Sequence, residues 1–176
     1  DRILGICSIA TIIAAWFIGY HQSSTAVESY IHQAVPNAER LVKTSGDTYV
    51  AYSNQSLNTL ISYVCLAESD GYGGPLTLAV ATNQKGLVTG LSVVEQRETP
   101  SWFKRVADSD FLNSLQGKRF SDAFELGSDI DGVSGATYTS RAIAEATRRG
   151  SRKVADLNLG LEVPATEAPE IRFGIP

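Results

Sequence analysis

The chain is poor in sulphur, histidine and charge. Its 176 residues include 2 cysteines, 2 histidines and no methionine, and 19% of them are charged. Cys7 falls in an apolar run and Cys65 in a predicted strand, so no intramolecular disulfide is expected. His21 and His32 belong to no motif with metal-ligand spacing, and no metal site is predicted. A net charge of −4 argues against a nucleic-acid-binding protein.

Motifs for nucleotide binding and hydrolysis are also missing. The pattern GxxxxGK[ST] does not occur, which excludes a P-loop. Gly71-Tyr72-Gly73 begins like GxGxxG, but Leu76 occupies the third glycine position and the segment joins two predicted strands. No Ser–His–acid arrangement is convincing, because both histidines lie near the N-terminus. NADH binding and triad hydrolysis are therefore not predicted.

One long apolar run is present, from Ile3 to Tyr20, and it contains no charged residue. As a helix it would span about 27 Å, close to the hydrocarbon thickness of a bilayer. A secretory signal peptide is the alternative, although its apolar region is typically shorter. Arg2 precedes the run, and no Lys or Arg follows before Arg40, so the remainder is expected outside the cytoplasm. We predict a single-pass anchor at residues 1–22 in the cell (inner) membrane.

The rest of the chain predicts an α+β domain with an antiparallel sheet and flanking helices. Its divisions are a membrane-proximal helix and linker at 23–47, the domain at 48–160, and an extended tail at 161–176. Apolar periodicity and β-branched content give the elements. Helices are predicted at Ser23–Ala34, Trp102–Leu115 and Ser140–Lys153, strands at Thr48–Ser53, Leu60–Ala67, Leu76–Thr82 and Leu87–Glu95, and a strand or turn at Arg119–Leu126.

The most informative stretch is Asp131–Thr139, which reads DGVSGATYT. It predicts a loop of small residues that presents the Thr137 hydroxyl just ahead of a helix, with Thr139 or Ser140 as the helix cap. Gly135 and the alanine after it leave that hydroxyl accessible. Because a helix N-terminus favours anions, the hydroxyl is a plausible attachment point for a phosphorylated group. Taken alone, the fragment Ser-Gly-Ala-Thr favours the plainer interpretation, a tight turn followed by a capped helix with no attached group.

Three segments together resemble the covalent FMN-binding domain family. DxxSGATxT is similar to the family's flavinylation motif, and Gly71–Leu76 (GYGGPL) and Arg97–Pro100 (RETP) fit in the expected order. The family includes the G subunit of the Rnf complex, the C subunit of the sodium-translocating NADH:quinone reductase and NosR-like membrane proteins. The resemblance covers about Tyr49 to Arg149. It implies that a separate flavin transferase esterifies Thr137 to the phosphate of FMN.

The resemblance also implies roles for further residues. Those expected to contact or position the flavin or its phosphate are Ser134, Gly135, Ala136, Thr139, Asp131, Glu98, Thr99, Tyr72 and Gly73. Asp131 is expected to hold the loop through backbone N–H groups, or to act only as a turn residue. Glu98 either contacts the flavin or pairs with Arg97 at a strand end. Where the family usually has glycine after Glu-Thr-Pro, this chain has Ser101-Trp102-Phe103, which leaves the shape of that loop open.

The function implied is a membrane-anchored electron-transfer subunit with covalent FMN, in an ion-translocating oxidoreductase complex of the Rnf type. Its partners would be other membrane subunits and the flavin transferase, and it would not be catalytic alone. Two alternatives stay open. One is the FMN domain of a NosR-like protein that donates electrons to an extracytoplasmic reductase, and the other is a flavin-free scaffold subunit.

Overall fold

The computed structural model of the protein describes residues 26–54 and 59–164. The predicted anchor at 1–22 lies outside the described residues, as does most of the predicted tail at 161–176. Within the described ranges, none of the helices combines the length and the apolar character needed to cross a bilayer.

Five strands form one antiparallel sheet in the order β1-β2-β3-β4-β5, so every strand pairs with its neighbour in sequence. The strands are β1 Arg40–Lys43, β2 Thr48–Tyr52, β3 Leu60–Asp70, β4 Pro75–Thr82 and β5 Val88–Gln96. The predicted antiparallel sheet is confirmed, and it has one strand more than expected. Strand β1 falls inside the predicted linker, because a short and mostly exposed edge strand carries little apolar alternation.

Four helices accompany the sheet in the described part of the chain. They are α1 at 26–34, α2 Pro100–Ala107, α3 Phe111–Ser114 and α4 Thr137–Leu159. The predicted single helix Trp102–Leu115 was wrong, because it is interrupted at 108–110. There the Ser109 hydroxyl donates to the carbonyl of Val106 (2.7 Å) and accepts the N–H of Phe111 (3.3 Å). Such local bonds compete with the helical pattern, although Val106 and Phe111 still enter the same core cluster.

The sheet is covered on both faces. On one face, α4 packs against β3 and β4, and its small residues let it approach closely. A Cβ on Gly150 would lie 2.8 Å from Val80 Cγ2. On the other face, Ile31 and Ala34 of α1 enter a second core cluster. A Cβ on Gly90 of β5 would collide with the Ala34 carbonyl. These two glycines therefore set the close approach of α4 and of α1 to the sheet.

The segment between α3 and α4 is irregular, and the choice left open for Arg119–Leu126 is decided for a turn with isolated bridges. The Asp129 carboxylate holds this segment together through hydrogen bonds and an ion pair. The Asp129 carboxylate accepts the N–H groups of Phe124 (3.2 Å) and Glu125 (2.6 Å), and Lys118 Nζ lies 3.2 Å away. Partial burial works to raise the pKa of Asp129, but these hydrogen bonds and the Lys118 charge outweigh it and hold the pKa below its ordinary value.

Candidate functional site

The small-residue loop ends in a tight turn that leads directly into α4. The Ala136 N–H donates to the Val133 carbonyl at 3.0 Å. Gly135 sits in this turn with φ +74°, a conformation that residues with a Cβ rarely adopt. Thr137 then begins the helix, three residues before the predicted start at Ser140, and its side chain is exposed. Thr137 is therefore the first residue of α4 and does not lie in the preceding loop.

The expected capping of α4 by Thr139 or Ser140 was wrong, because both lie inside the helix and no side chain caps its start. The Ser140 hydroxyl instead accepts the N–H of Val133 (3.1 Å) and donates to the carbonyl of Ala136 (3.0 Å). It thereby holds the turn against the helix. The Thr139 hydroxyl is fully buried and has no hydrogen-bond partner among the described residues. As placed, it does not reach the surface on which Thr137 lies, so this geometry gives no support to a phosphate contact by Thr139.

The start of α4 has unsatisfied hydrogen-bond donors. Within the described residues, the backbone N–H groups of Thr137, Tyr138 and Thr139 have no acceptor, and the first turn holds no acidic side chain. Arg105 of α2 adds a further positive charge, since a Cβ built on Gly135 would lie 2.5 Å from its Nη1. Unpaired N–H groups and the helix dipole favour an anion at such an end. Sequence reasoning missed Arg105, which is separated from the turn by the whole segment between α2 and α4.

Three aromatic side chains meet near the start of α4, and one of them belongs to Tyr138, the residue after Thr137. The ring of Tyr72 lies edge-on to Trp102, with 4.9 Å between centroids, and 5.6 Å from the ring of Tyr138. Tyr72 is 64% exposed and Tyr138 60% exposed, whereas Trp102 is half-buried and also packs on the core. The Arg141 guanidinium lies 5.9 Å from the Tyr138 ring centroid. Sequence reasoning missed Tyr138, although its position next to Thr137 in the motif was an available signal.

Glu98 holds the glycine turn that carries Tyr72. Glu98 is 5% exposed, and its carboxylate accepts the N–H groups of Tyr72 (2.9 Å) and Gly73 (3.2 Å). A Cβ on Gly71 would collide with that carboxylate. The alternative pairing of Glu98 with Arg97 was wrong, because Arg97 pairs with Glu95 at 3.3 Å. Glu98 therefore positions the tyrosine.

The remaining predicted residues are placed around this centre. Thr99 precedes α2, and its carbonyl accepts the N–H groups of Trp102 and Phe103, each at 3.0 Å. Ser134 is exposed in the turn. Asp131 is exposed and makes no hydrogen bond to the loop within the described residues, so the proposed loop-holding role belongs to Ser140 instead.

Two surface cavities flank the loop. One, of about 430 Å³, is lined by Tyr72, Tyr138, Arg141 and neighbouring residues of β3 and α4. The other is larger, about 630 Å³, and is lined mainly by polar residues that include Asp131. The smaller cavity borders the exposed aromatic rings, so its chemistry suits a flat aromatic ligand better than that of the larger one. No group of His, Cys, Asp and Glu within 26–54 and 59–164 could hold a metal ion.

Comparison with known proteins decides the family. The model of the FMN-binding domain family matches residues 71–151, from the glycine turn to the middle of α4. The G subunit of the proton-translocating ferredoxin:NAD(+) oxidoreductase complex of Clostridium ljungdahlii is 33% identical over 128 residues, which are 68% of this chain and 67% of that protein. The chain belongs to the FMN-binding domain family. The resemblance inferred from the motifs is thereby confirmed.

Other relatives match a shorter part of the domain. The G subunit of the ion-translocating oxidoreductase complex of Escherichia coli is 35% identical over 89 residues, which cover 46% of this chain and 43% of that protein. The chain thus spans less than half of this relative. Among solved structures, Shewanella oneidensis NqrC gives a TM-score of 0.47 at 22% identity, covering 64% of this chain and 65% of that one.

Proposed function

We propose that this chain is the membrane-anchored electron-transfer subunit of an ion-translocating oxidoreductase complex, with FMN esterified through its phosphate to Thr137. One observation carries the proposal. Thr137 is exposed and begins a helix whose first N–H groups lack acceptors among the described residues, and the ring of the next residue, Tyr138, lies 5.6 Å from the exposed ring of Tyr72. Family membership supports FMN as the group bound, and the names of the relatives support the kind of complex.

The attachment is a group transfer without a redox change. The bond between Thr137 Oγ1 and phosphorus forms while a phosphoanhydride bond of an activated flavin donor breaks. The donor's other phosphate leaves with the bonding electron pair, and the hydroxyl proton passes to the flavin transferase. Relative to free FMN and threonine, the product has lost one water. A diester at this position brings its negative charge to the start of α4, where the helix dipole and the free N–H groups stabilise it.

The domain's own residues then position and protect the flavin. Glu98 fixes the turn that carries Tyr72, and the exposed faces of Tyr72 and Tyr138 offer an apolar surface for a flat ring system. Bound FMN supplies the electron-carrying chemistry, while the protein supplies placement and electrostatics. Covalent attachment prevents loss of the flavin, which suits a domain held outside the cytoplasm by an anchor at 1–22.

Intact-protein mass spectrometry on denatured protein tests the proposal. Protein from native membranes, or protein treated with a flavin transferase and its donor, should carry a mass excess equal to FMN less one water. The variant Thr137→Val should lack it. Thr139→Val is the matched control, because Thr139 lies on the same helix with its hydroxyl buried, and it should be labelled like wild type.

An unmodified mass from native membranes would contradict the proposal and leave the flavin-free scaffold as the remaining interpretation. Labelling that persists in Thr137→Val would place the ester elsewhere. Labelling lost in both variants would mean that the fold around α4, instead of the Thr137 hydroxyl, controls attachment. Co-purification of labelled protein with other membrane subunits tests the complex separately.

A further inference from the structure

Arg105 lies against the turn that precedes Thr137. It belongs to the last turn of α2, and its side chain is exposed. A Cβ built on Gly135 would lie 2.5 Å from Arg105 Nη1 and 3.4 Å from Cζ. The guanidinium therefore occupies the space that a side chain at position 135 would fill. Thr137 is two residues further on, so its Cα lies no more than about 7.6 Å from that of Gly135.

The Arg105 guanidinium has no partner among the residues that the structure describes. Within the described ranges, Arg105 makes neither a hydrogen bond nor an ion pair. Its neighbour Lys104 differs, because Lys104 Nζ pairs with Asp108 at 2.7 Å on the same helix. The guanidinium lies against the turn that leads to backbone N–H groups without acceptors, so among the described residues these donors have no acceptor. Such a group of donors is complementary to a phosphate, because two phosphate oxygens can each accept a hydrogen bond from the same planar guanidinium.

We propose that Arg105 binds the non-bridging oxygens of the phosphodiester that links FMN to Thr137. The proposal rests on the function proposed above and adds a residue that none of the recognised motifs contains. Arg105 is a positioning residue for the flavin: with the phosphate held between α2 and the start of α4, the ribityl chain leaves the diester in a fixed direction. Gly135 is required for this arrangement, because a side chain there would displace the guanidinium.

The test compares flavinylated wild type, Arg105→Gln, Arg105→Lys and the control Lys104→Gln. The main measurement is the ³¹P resonance of the diester in each protein. We expect the resonance to move in Arg105→Gln, to move less in Arg105→Lys, which keeps the charge but loses the fork, and to stay at the wild-type position in Lys104→Gln. Failure of Arg105→Gln to accept flavin, while Lys104→Gln is labelled normally, would support the same conclusion.

A second measurement, of Tm before and after flavinylation, separates loss of the phosphate contact from an effect on folding. Flavinylation should raise Tm by about 3 °C more in wild type than in Arg105→Gln, since the contact exists only after attachment. The unmodified proteins should differ little in Tm, because Arg105 is exposed and unpaired. Identical ³¹P positions and Tm increments in Arg105→Gln and Lys104→Gln would overturn the inference while leaving the ester intact. Wild type that takes up no flavin would overturn the proposed function itself.

Discussion

The sheet side and the helix side of the candidate site differ in whether their backbone N–H groups have acceptors. On the sheet side, the glycine turn is complete, because the buried Glu98 carboxylate accepts the N–H groups of Tyr72 and Gly73. On the helix side, the N–H groups of Thr137 and Tyr138 find no acceptor within the described residues. A backbone donor without an acceptor costs free energy unless water or a ligand satisfies it. The protein itself supplies the acceptors on the sheet side, whereas the N–H groups on the helix side remain available to water or to the proposed phosphate.

A substitution that disrupts the glycine turn on the sheet side should have the largest effect on stability. In Gly73→Ala the new Cβ would collide with the Arg97 carbonyl oxygen, and a backbone atom cannot move away without a large free-energy cost. We expect a loss of about 3 kcal/mol in the free energy of unfolding, measured by urea denaturation. The control is Gly132→Ala, whose Cβ meets Leu126 Cδ1 at an ordinary 3.4 Å and should change little. Equal stability of the two variants would contradict the packing described for this turn.

Removing the acceptor of the same turn should cost less. In Glu98→Gln one oxygen is replaced by an NH₂ group, so the side chain no longer accepts both N–H groups. We expect a loss of about 2 kcal/mol, together with faster hydrogen exchange at Tyr72 and Gly73. Glu95→Gln serves as the control, since Glu95 is 59% exposed in its pair with Arg97 and should be nearly neutral. A neutral Glu98→Gln would mean that the turn holds itself without the carboxylate.

A smaller, pH-dependent effect is expected at the segment leading to the helix side. The pKa of Asp129 is lowered in the folded protein, so its contribution to stability is present above about pH 4 and is lost as the pH falls through the lower, folded value. Asp129→Asn should therefore be less stable than wild type at pH 7, by about 1 kcal/mol, and the difference should shrink in acid. Thermal unfolding from pH 7 to pH 3 checks this. A difference that is constant with pH would contradict it.

The smallest effect should have the opposite sign. Thr139→Val replaces a buried hydroxyl, which has no partner in the described part of the chain, by a methyl group of similar size. We expect a gain of up to about 1 kcal/mol, because an unpaired buried hydroxyl is a cost to the folded state. Thermal unfolding of the unmodified protein measures it. A loss of stability would show that the hydroxyl has a partner after all.

Sequence reasoning predicted the local features of this chain well. The hairpin of β4 and β5 and the exposure of Thr137 follow from alternation, turn residues and small side chains near position 137. It did not predict the break between α2 and α3, because the apolar periodicity continues across it. The hydrogen bonds of Ser109 that interrupt the helix do not change the apolar pattern, so the pattern does not reveal them.

The site was predicted less completely, because its contacts join elements far apart in the chain. Glu98 was recognised, but its partners at Tyr72 and Gly73 depend on how β5 ends beside the β3–β4 turn. The approach of Arg105 to Gly135 depends on where α2 lies relative to the start of α4. Neither of these contacts can be predicted from a local sequence pattern.

Amide hydrogen exchange before and after flavinylation tests the contrast between the two sides of the site most directly. The N–H groups of Thr137 and Tyr138 should exchange rapidly in the unmodified protein and become protected once the diester is attached. The N–H group of Gly73, already bonded to Glu98, should be protected in both states. Unchanged exchange at Thr137 and Tyr138 in protein shown by mass to carry the flavin would contradict the account, because the phosphate would then not complete the start of α4.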